Sequence, residues 1–258
     1  MRTLLLAVAA SATKTDFAQT QLRRLGALAN YLRGLGSGSD IATSGETALL
    51  DLLPPEATVF DVGANRGDYA LAVLNRRPQA HVHCFEPSKC TFDLLCKALQ
   101  NKNAVLNDCG LGEREDEMTL YSNEAGSGLA SLTRRRLDHF GVQMNLEEKV
   151  RITTLDKYCT ERGIERIDLL KVDVEGHEMG VFKGGSRLLE NRQVRTVMFE
   201  FGGCNIDTRT YFQDFYYYLQ SLGVSSLQRI TPSGKLVEVS QYSEDLEYFR
   251  TTNYVVHF

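Results

Sequence analysis

The sequence predicts a doubly wound α/β fold built around a mostly parallel β-sheet. From residue 57 onward, short apolar runs alternate with segments whose apolar residues recur at helical spacing. Near-continuous apolar runs are typical of parallel strands that are buried on both faces. Residues 59–74, VFDVGANRGDYALAVL, show the pattern best, because a strand runs into a glycine turn and then into a helix. In such folds a ligand binds beyond the carboxyl ends of the strands.

The elements follow one another in order along the chain. Residues 16–33 have helical spacing, and residues 34–40, GLGSGSD, have the composition of a flexible linker. We therefore divide the chain into a helical extension with its linker, residues 1–42, and a main domain, residues 43–258. The core strands are predicted in the segments ATVFDVG, AHVHCFEP, AVLND, IDLLKVDVEG and VRTVMFEF. The late segments SSLQRI, KLVEVS and NYVVHF predict strands that finish the sheet with an antiparallel edge.

Composition narrows the class of partner. The 258 residues carry 29 basic and 33 acidic side chains, a net charge of -4, which gives no field to attract a polyanion. We therefore expect no nucleic-acid partner. The sequence contains no run of ~18 or more apolar residues, so we expect no membrane partner. Its oligomeric state is not predicted.

The cysteines and the N-terminus bear on location. Six cysteines occur without the paired spacing of a zinc site, which favours free thiols in a reducing compartment. Residues 4–10 form a short apolar run that resembles the core of a secretory signal. We interpret this run as an N-terminal helix, because nothing else in the sequence has the character of a secreted protein. A cytoplasmic location is the resulting expectation.

The first predicted turn indicates a nucleoside-like ligand. Gly63 and Gly67 flank the turn between the first strand and its helix, where glycine lets the backbone approach a ligand. Glu86 ends the second strand, in CFEP. A carboxylate at that position can accept hydrogen bonds from both hydroxyls of a ribose.

The spacing of the glycines separates two kinds of cofactor. A dinucleotide site usually contains Gly-x-Gly-x-x-Gly, whereas this turn has Ala64 and Asn65 after its first glycine and lacks the middle one. A cofactor without phosphates fits better, and S-adenosylmethionine is the candidate. Asp61, two residues before Gly63, is expected near the positively charged end of its methionine tail.

The quoted segments also carry a family resemblance. VFDVGANRGDYAL, CFEPS and LLKVDVEGHEMGVFKGG, in this order, resemble the FkbM family of S-adenosylmethionine-dependent methyltransferases. The resemblance covers roughly residues 43–258. It implies a class I methyltransferase (Rossmann-like) fold with a seven-stranded sheet whose last strand is antiparallel. It also implies O-methylation of a sugar or a similar hydroxyl. One departure is Gly223 followed by Val224, where many members have Gly-Tyr, and we interpret it as a packing difference.

The segment KVDVEGHE supplies candidate catalytic residues. Asp173 falls where the fourth core strand ends, His177 follows in the next turn, and Glu200 ends the fifth strand. Methyl transfer needs an oxygen held close to the methyl carbon and a group that removes its proton. Asp173 or His177 is the candidate base.

A metal site is an alternative use of the same region. The carboxylates of Asp173, Glu175, Glu178 and Glu200 could hold a hard cation such as Mg²⁺ that orients a substrate hydroxyl. Glu178 could instead be an ordinary acidic residue in the first turn of a helix.

Two further features are less specific. Asp108, at the end of the third strand, is expected near the adenine amino group, unless backbone groups of the following residues take that role. The loop at residues 123–136, NEAGSGLASLTRRR, is expected to close over the cofactor with Ser131 near it. Its three arginines either meet an anionic substrate or form a solvated basic run.

Together these observations predict an S-adenosylmethionine-dependent O-methyltransferase. We expect a small hydroxylated acceptor, with a sugar or glycoconjugate as the leading candidate. The alternatives are a non-catalytic module of the same fold and, with less support from the glycine spacing, an NAD-dependent oxidoreductase.

Overall fold

The computed structural model describes residue 10, residues 13–38 and residues 40–258. The apolar run at residues 4–10, which we interpret as a helix rather than a signal, lies outside the described residues except for Ala10.

Strands and helices alternate along the described chain. The strands are β1 Thr58–Val62, β2 His81–Phe85, β3 Ala104–Asn107, β4 Gly110–Leu111, β5 Asp116–Ser122, β6 Leu146–Thr153, β7 Leu169–Val172, β8 Thr196–Phe201, β9 Ser226–Ile230, β10 Leu236–Glu238 and β11 Thr252–His257. The α-helices are α1 Asp16–Leu32, α2 Asp68–Arg76, α3 Lys89–Ala98, α4 Leu155–Arg162, α5 Glu178–Gly184, α6 Ser186–Glu190, α7 Cys204–Thr208 and α8 Phe212–Ser221. Short 3₁₀ helices lie at Glu46–Leu52, Asp138–Phe140 and Glu244–Leu246.

The main sheet confirms the predicted α/β class. Within the described chain it contains eight strands in the order β10-β9-β11-β8-β7-β1-β2-β3. Strands β3, β2, β1, β7 and β8 are parallel to their neighbours in that series. The chain leaves β1 first toward β2 and later returns on its other side as β7, so the strand order reverses at β1. That reversal opens a crevice at the carboxyl ends of β1 and β7.

The antiparallel strands differ from the expectation in one respect. Strand β11 is antiparallel as expected, but it lies inside the sheet, between β8 and β9, and pairs with both. The edge is formed by β10, an eighth strand that pairs antiparallel with β9. The turn at residues 231–234 folds β10 directly back on β9, and this short hairpin adds the strand beyond the seven implied by the resemblance.

A second, three-stranded sheet has the order β4-β6-β5. Strands β5 and β6 pair antiparallel over their whole length and bury Leu120, Val150 and Ile152 between them and the loop that follows β5. The segment MTLY, residues 118–121, predicts a short strand and lies within β5. The charged LEEKVRIT of β6 escapes the search for apolar runs, because only one face of that strand is buried.

The core lies on both faces of the main sheet. Along β1, Phe60 packs into one hydrophobic cluster with helices α5 and α8, whereas Val59 packs into the other with α2. Side chains alternate between the two faces of a strand, so both sets must be apolar. This is the physical reason for the near-continuous apolar runs.

The predicted linker is packed against the main domain. Leu35 and Ser37 are buried, and the Gly38 N–H donates to the Thr251 carbonyl at 2.9 Å. Gly34 has φ +85°, and a Cβ there would lie 2.1 Å from the Ile230 carbonyl oxygen. The glycines therefore serve close backbone approach rather than flexibility, which corrects the interpretation of this segment as a free linker.

Helix α1 differs from the segment after it. None of the residues of Asp16–Leu32 is buried. Among the helices that the structure describes, none has the length and apolar character needed to cross a bilayer.

Candidate active site

The large cavity of the described chain lies at the carboxyl ends of the central strands and has a volume of about 1050 Å³. Strand ends and the turns after them contribute Gly63, Glu86, Asp173 and Glu200 to its lining. The small sheet and the loop after β5 form another wall. The remaining side is closed by residues 249–251 and by Gly36, Gly38, Asp40 and Ile41.

The turn after β1 is held against both neighbouring strands. The N–H groups of Gly63 and Ala64 both donate to the Phe85 carbonyl, at 3.0 and 2.9 Å. Gly63 has φ +81°, and a Cβ there would lie 1.8 Å from the Asp173 carbonyl oxygen. Gly63, Ala64 and Asn65 line the cavity, as expected.

Both glycines have a packing role that the sequence does not suggest. Gly63 makes room for the backbone after β7, and Gly67 makes room for a side chain of α3, since its Cβ would lie 2.9 Å from Leu95 Cδ1. Gly67 does not line the cavity. Its φ of +92° instead begins helix α2.

Glu86, the predicted ribose-binding carboxylate, directly follows β2 and lines the cavity. Its Oε2 accepts from the Asn65 N–H at 3.0 Å and its Oε1 from the Ser88 N–H at 2.9 Å. Each oxygen keeps a further lone pair for a ligand hydroxyl. Burial raises the pKa of Glu86 to about 7, although the two backbone N–H groups oppose that shift.

Lys171 is the cation at the floor of the cavity. Its Nζ lies 3.2 Å from Asp173 Oδ2 and 3.4 Å from Asp61 Oδ1. Burial lowers the pKa of Lys171, but Asp173, Asp61 and Glu46 outweigh burial, so the net shift is upward and the ammonium stays charged. Asp61 is fully buried behind Lys171 and does not line the cavity. Lys171 lines the cavity and Asp61 does not, which differs from the expected direct contact between Asp61 and the ligand.

The three candidate catalytic side chains share the cavity. Asp173, His177 and Glu200 all line it. His177 Nε2 lies 3.0 Å from the Thr133 hydroxyl, and burial lowers the pKa of this imidazole. Burial and the nearby Asp173 carboxylate raise the pKa of Glu200 well above its usual value. The site therefore combines a neutral imidazole, a lysine-paired carboxylate and a carboxyl group that favours its protonated form.

The remaining two carboxylates of the KVDVEGHE segment have other partners. Glu175 forms an ion pair with Arg135, although burial and the Asp173 carboxylate raise the pKa of Glu175 to about 8. Glu178 is fully buried and does not line the cavity. Its Oε1 accepts from the N–H groups of Val174 and Gly176, at 3.1 and 3.0 Å.

The metal site suggested by the sequence is not supported. Within residues 13–38 and 40–258, no group of three or more His, Cys, Asp or Glu side chains is placed to hold a metal ion. Of the four proposed ligands, Asp173 is paired with Lys171 and Glu175 with Arg135, while Glu178 caps the turn that precedes α5.

Replacing Glu178 with alanine is expected to lower the free energy of unfolding by about 2–4 kcal/mol, because two buried N–H groups lose their acceptor. Urea denaturation would measure the change. Glu178→Gln keeps an amide oxygen for the turn and is the matched control, with a smaller expected loss. Equal stability of the alanine variant and the unchanged protein would contradict this role.

Of the predicted cofactor residues Asp108 and Ser131, only Ser131 lines the cavity. Asp108 lies outside the cavity, because its side chain is 68% exposed and pairs with Arg151 at 2.8 Å. Gly110, two residues on, lines the cavity instead. Ser131 does line the cavity, but its hydroxyl is already used: it donates to the Glu175 carbonyl at 2.8 Å and accepts from the Thr133 N–H.

The three arginines after Ser131 separate into two groups. Arg134 is exposed and pairs with Glu147. Arg135 and Arg136 line the cavity, and Arg135 also approaches Asp207 at 3.7 Å. The basic run is therefore not wholly a solvated surface feature.

Several cavity residues are missed by sequence reasoning. Tyr69 lies inside the first quoted stretch but is not singled out there. The others come from segments without a chemical motif: Glu46, Phe140, Ile206, Phe249 and Arg250. Only the resemblance to a known fold could direct attention to the segment before β1, and it does not single out a residue there.

The sheet order and the cavity at its switch point define the class of the protein, a Rossmann-like class I methyltransferase fold. The crystal structure of an FkbM methyltransferase from Methylobacillus flagellatus shares this fold, with a TM-score of 0.50 and 15% sequence identity. The alignment covers 95% of this chain and 62% of that one.

The methyltransferase FkbM domain matches residues 61–225, and the chain belongs to this family of S-adenosylmethionine-dependent methyltransferases. The 31-O-demethyl-FK506 methyltransferase FkbM of Streptomyces tacrolimicus is 31% identical over 157 residues, which are 51% of this chain and 60% of that protein. The 2-O-methyltransferase NoeI of Sinorhizobium fredii is 28% identical over 148 residues, 52% of this chain and 60% of that protein. The aligned region thus spans 60% of the length of each of these relatives.

Proposed function

We propose that this protein transfers a methyl group from S-adenosylmethionine to a hydroxyl oxygen of a small molecule. The observation that carries the proposal is one cavity that joins the Glu86 carboxylate to the side chains of Asp173, His177 and Glu200. Both curated relatives described above are named for O-methylation. A sugar or glycoconjugate acceptor remains a prediction from the sequence.

The residues present fit the cofactor. Glu86 offers free lone pairs at the end of β2, and Asn65 Oδ1 is buried without a hydrogen-bond partner among the described residues. These two groups would hold the ribose side of the ligand. The backbone at Gly110 and Leu111 would line the adenine side. Bound S-adenosylmethionine would supply an electrophilic methyl carbon on its sulfonium sulfur, with S-adenosylhomocysteine as the leaving group.

The chain's own part in the reaction is to orient the acceptor hydroxyl and remove its proton. A neutral imidazole accepts a proton, and the lowered pKa of His177 keeps it neutral at physiological pH. We assign His177 as the base and Asp173, held by Lys171, as an acceptor that orients the hydroxyl. Protonated Glu200 would donate a hydrogen bond to the same acceptor molecule.

The acceptor would enter by the mouth of the cavity. Leu129, Phe140 and Ile206 are exposed apolar side chains on its lining, and exposed apolar groups in a groove are typical of a ligand-binding site. Arg136 and Arg250 also line this part of the site. The mouth therefore suits a hydroxylated molecule with both an apolar surface and a polar or anionic group.

Isothermal titration with S-adenosylmethionine tests the cofactor assignment, with NAD and NADP as parallel controls. We expect S-adenosylmethionine alone to bind, and Glu86→Ala to weaken it at least about tenfold, because charge-assisted hydrogen bonds to ribose are lost. Glu56→Ala, at an exposed glutamate before β1, is the control and should leave the affinity unchanged. Binding of only a dinucleotide would overturn the proposal. Binding of S-adenosylmethionine without turnover on any acceptor would favour the non-catalytic module.

The same titration has an expected pH dependence. Burial raises the pKa of Glu86 to about 7, so the carboxylate that accepts from hydroxyls is favoured above that pH and lost below it. Affinity should therefore fall about fivefold between pH 7 and pH 6 if only the ionised form binds. Glu86→Gln should remove this slope, and a slope that persists in the variant would assign it to another group.

A further inference from the structure

Glu46 is a cavity residue that the family match does not include. It begins the 3₁₀ helix Glu46–Leu52, ahead of β1 and outside the matched residues 61–225. Its side chain lines the same cavity as Gly63, Lys171 and Asp173, yet the residue is only 6% exposed. A buried carboxylate at the wall of a ligand cavity needs a physical explanation.

The position of Glu46 is set by two contacts. The Ser44 hydroxyl donates to Glu46 Oε1 at 3.0 Å. Gly45 has φ +80°, and a Cβ there would lie 2.2 Å from the Thr231 carbonyl oxygen, so this turn is pressed against the hairpin after β9. The carboxylate is therefore presented to the cavity by a packed segment rather than by a free loop.

The floor of the cavity has more acidic than basic side chains. Three carboxylates, Asp173, Asp61 and Glu46, raise the pKa of Lys171 and so favour its charged ammonium. Lys171 forms ion pairs with the first two, whereas Glu46 makes no ion pair within the described chain. Burying an ionised carboxylate without a cation is costly, so the arrangement favours a cationic ligand next to Glu46.

Tyr69 gives a second, independent indication of a ligand. Its ring lies under Lys171, with Nζ 5.3 Å from the centroid, and the residue lines the cavity while only 4% exposed. The Tyr69 hydroxyl is buried and has no hydrogen-bond partner among the residues that the structure describes. Buried hydroxyls are almost always bonded, so this one lacks a partner that a ligand would supply.

Lys171, which packs on the Tyr69 ring, lies on the side of β1 that is opposite Glu86. Strand β1 pairs with β2, which ends at Glu86, and on its other side with β7, which carries Lys171. A ligand that crosses the turn at Gly63 with its ribose at Glu86 therefore directs its other end toward Lys171, Glu46 and Tyr69.

We propose that Glu46 binds the α-ammonium group of the amino-acid tail of S-adenosylmethionine and that the Tyr69 hydroxyl bonds the same end of the ligand. This inference rests on the proposed function. It adds to the family site a residue from the N-terminal segment, which would select cofactors that carry a free amino group.

Isothermal titration with three ligands tests the assignment. S-Adenosylmethionine and S-adenosylhomocysteine carry the amino-acid tail, whereas 5′-methylthioadenosine has the same adenosine without it. We expect Glu46→Gln to weaken the first two at least about tenfold and to leave the third unchanged, since a charged hydrogen bond is lost only with the tail. Tyr69→Phe should weaken the same two ligands by a smaller factor. Glu56→Gln is the matched control and should change none of the three affinities.

Each outcome decides the assignment. Equal weakening of all three ligands by Glu46→Gln would show a general structural role and overturn it, and so would no weakening of any. Failure of the unchanged protein to bind any of the three would overturn the proposed function itself. Burial raises the pKa of Glu46, so the neutral glutamine should fold at least as stably. If it does not, Glu46→Asp keeps the charge with a shorter reach, and it should then weaken the two tailed ligands selectively.

Discussion

Replacing Gly63 with alanine is expected to abolish S-adenosylmethionine binding and to lower the free energy of unfolding by more than about 4 kcal/mol. The added Cβ would lie 1.8 Å from the Asp173 carbonyl oxygen, and φ at this residue is +81°. Gly63 and Asp173 directly follow the paired strands β1 and β7, and the Asp173 N–H donates to the Val62 carbonyl at 3.0 Å. Neither can move without disturbing the pair, so relief of the clash must open the sheet at the floor of the cavity.

Gly180→Ala is the matched control for this variant. Gly180 lies in α5, the helix that follows β7, and the nearest atom to an added Cβ is the Glu113 nitrogen at an ordinary 3.6 Å. Alanine in a helix interior is favoured over glycine by roughly 1 kcal/mol, so this variant should be as stable as the unchanged protein or more so. Urea denaturation and titration with S-adenosylmethionine measure both effects. If Gly63→Ala kept its stability and its affinity, the close approach of the two strands would not be essential.

His177→Gln is expected to lower kcat by about 10²–10⁴-fold, the range usual for loss of a general base. The imidazole lines the cavity together with Asp173, and its lowered pKa leaves it neutral and able to accept a proton. Transfer of a labelled methyl group to an acceptor found by screening hydroxylated compounds would measure the rate. His81→Gln, at an exposed histidine on the opposite end of β2, is the control and should keep full activity.

The pH profile separates a base from a packing residue. Burial lowers the pKa of His177, so kcat/KM should fall only below its usual value near 6.5, where the imidazole gains a proton. The His177→Gln variant should have a lower kcat, and its pH profile should no longer show this fall at acidic pH. Asp173→Asn tests the alternative base: it should reduce kcat while the fall at acidic pH remains. A variant of His177 with unchanged turnover would transfer the role of base to Asp173.

The fold was largely predictable because its signals are local. Apolar strands buried on two faces, the glycine turn and the acidic end of β2 are each contained in a short segment, and they appear in the order of the family. The sequence alone therefore determined the α/β class, the strand that Glu86 follows and the identity of the family. It missed β6, because a strand with one buried face has no continuous apolar run.

The roles of the individual acidic residues could not be read from the sequence, because each role depends on a partner distant in the chain. Glu178 bonds the turn before its own helix, and Asp108 pairs with Arg151 outside the cavity. Asp61, separated by 110 residues from Lys171, meets its ammonium only because β1 and β7 are neighbours in the sheet.

The sequence by itself determined which chemical groups follow the strands, since strand ends and turns are set by local patterns. Only the tertiary structure decided which of these groups face the cavity, because burial and pairing depend on elements far apart in the chain. Glu46 shows the difference most clearly. No local sequence pattern identifies Glu46 as a cavity residue. It shares the cavity with Lys171 and Tyr69 because the segment before β1 packs against the hairpin after β9.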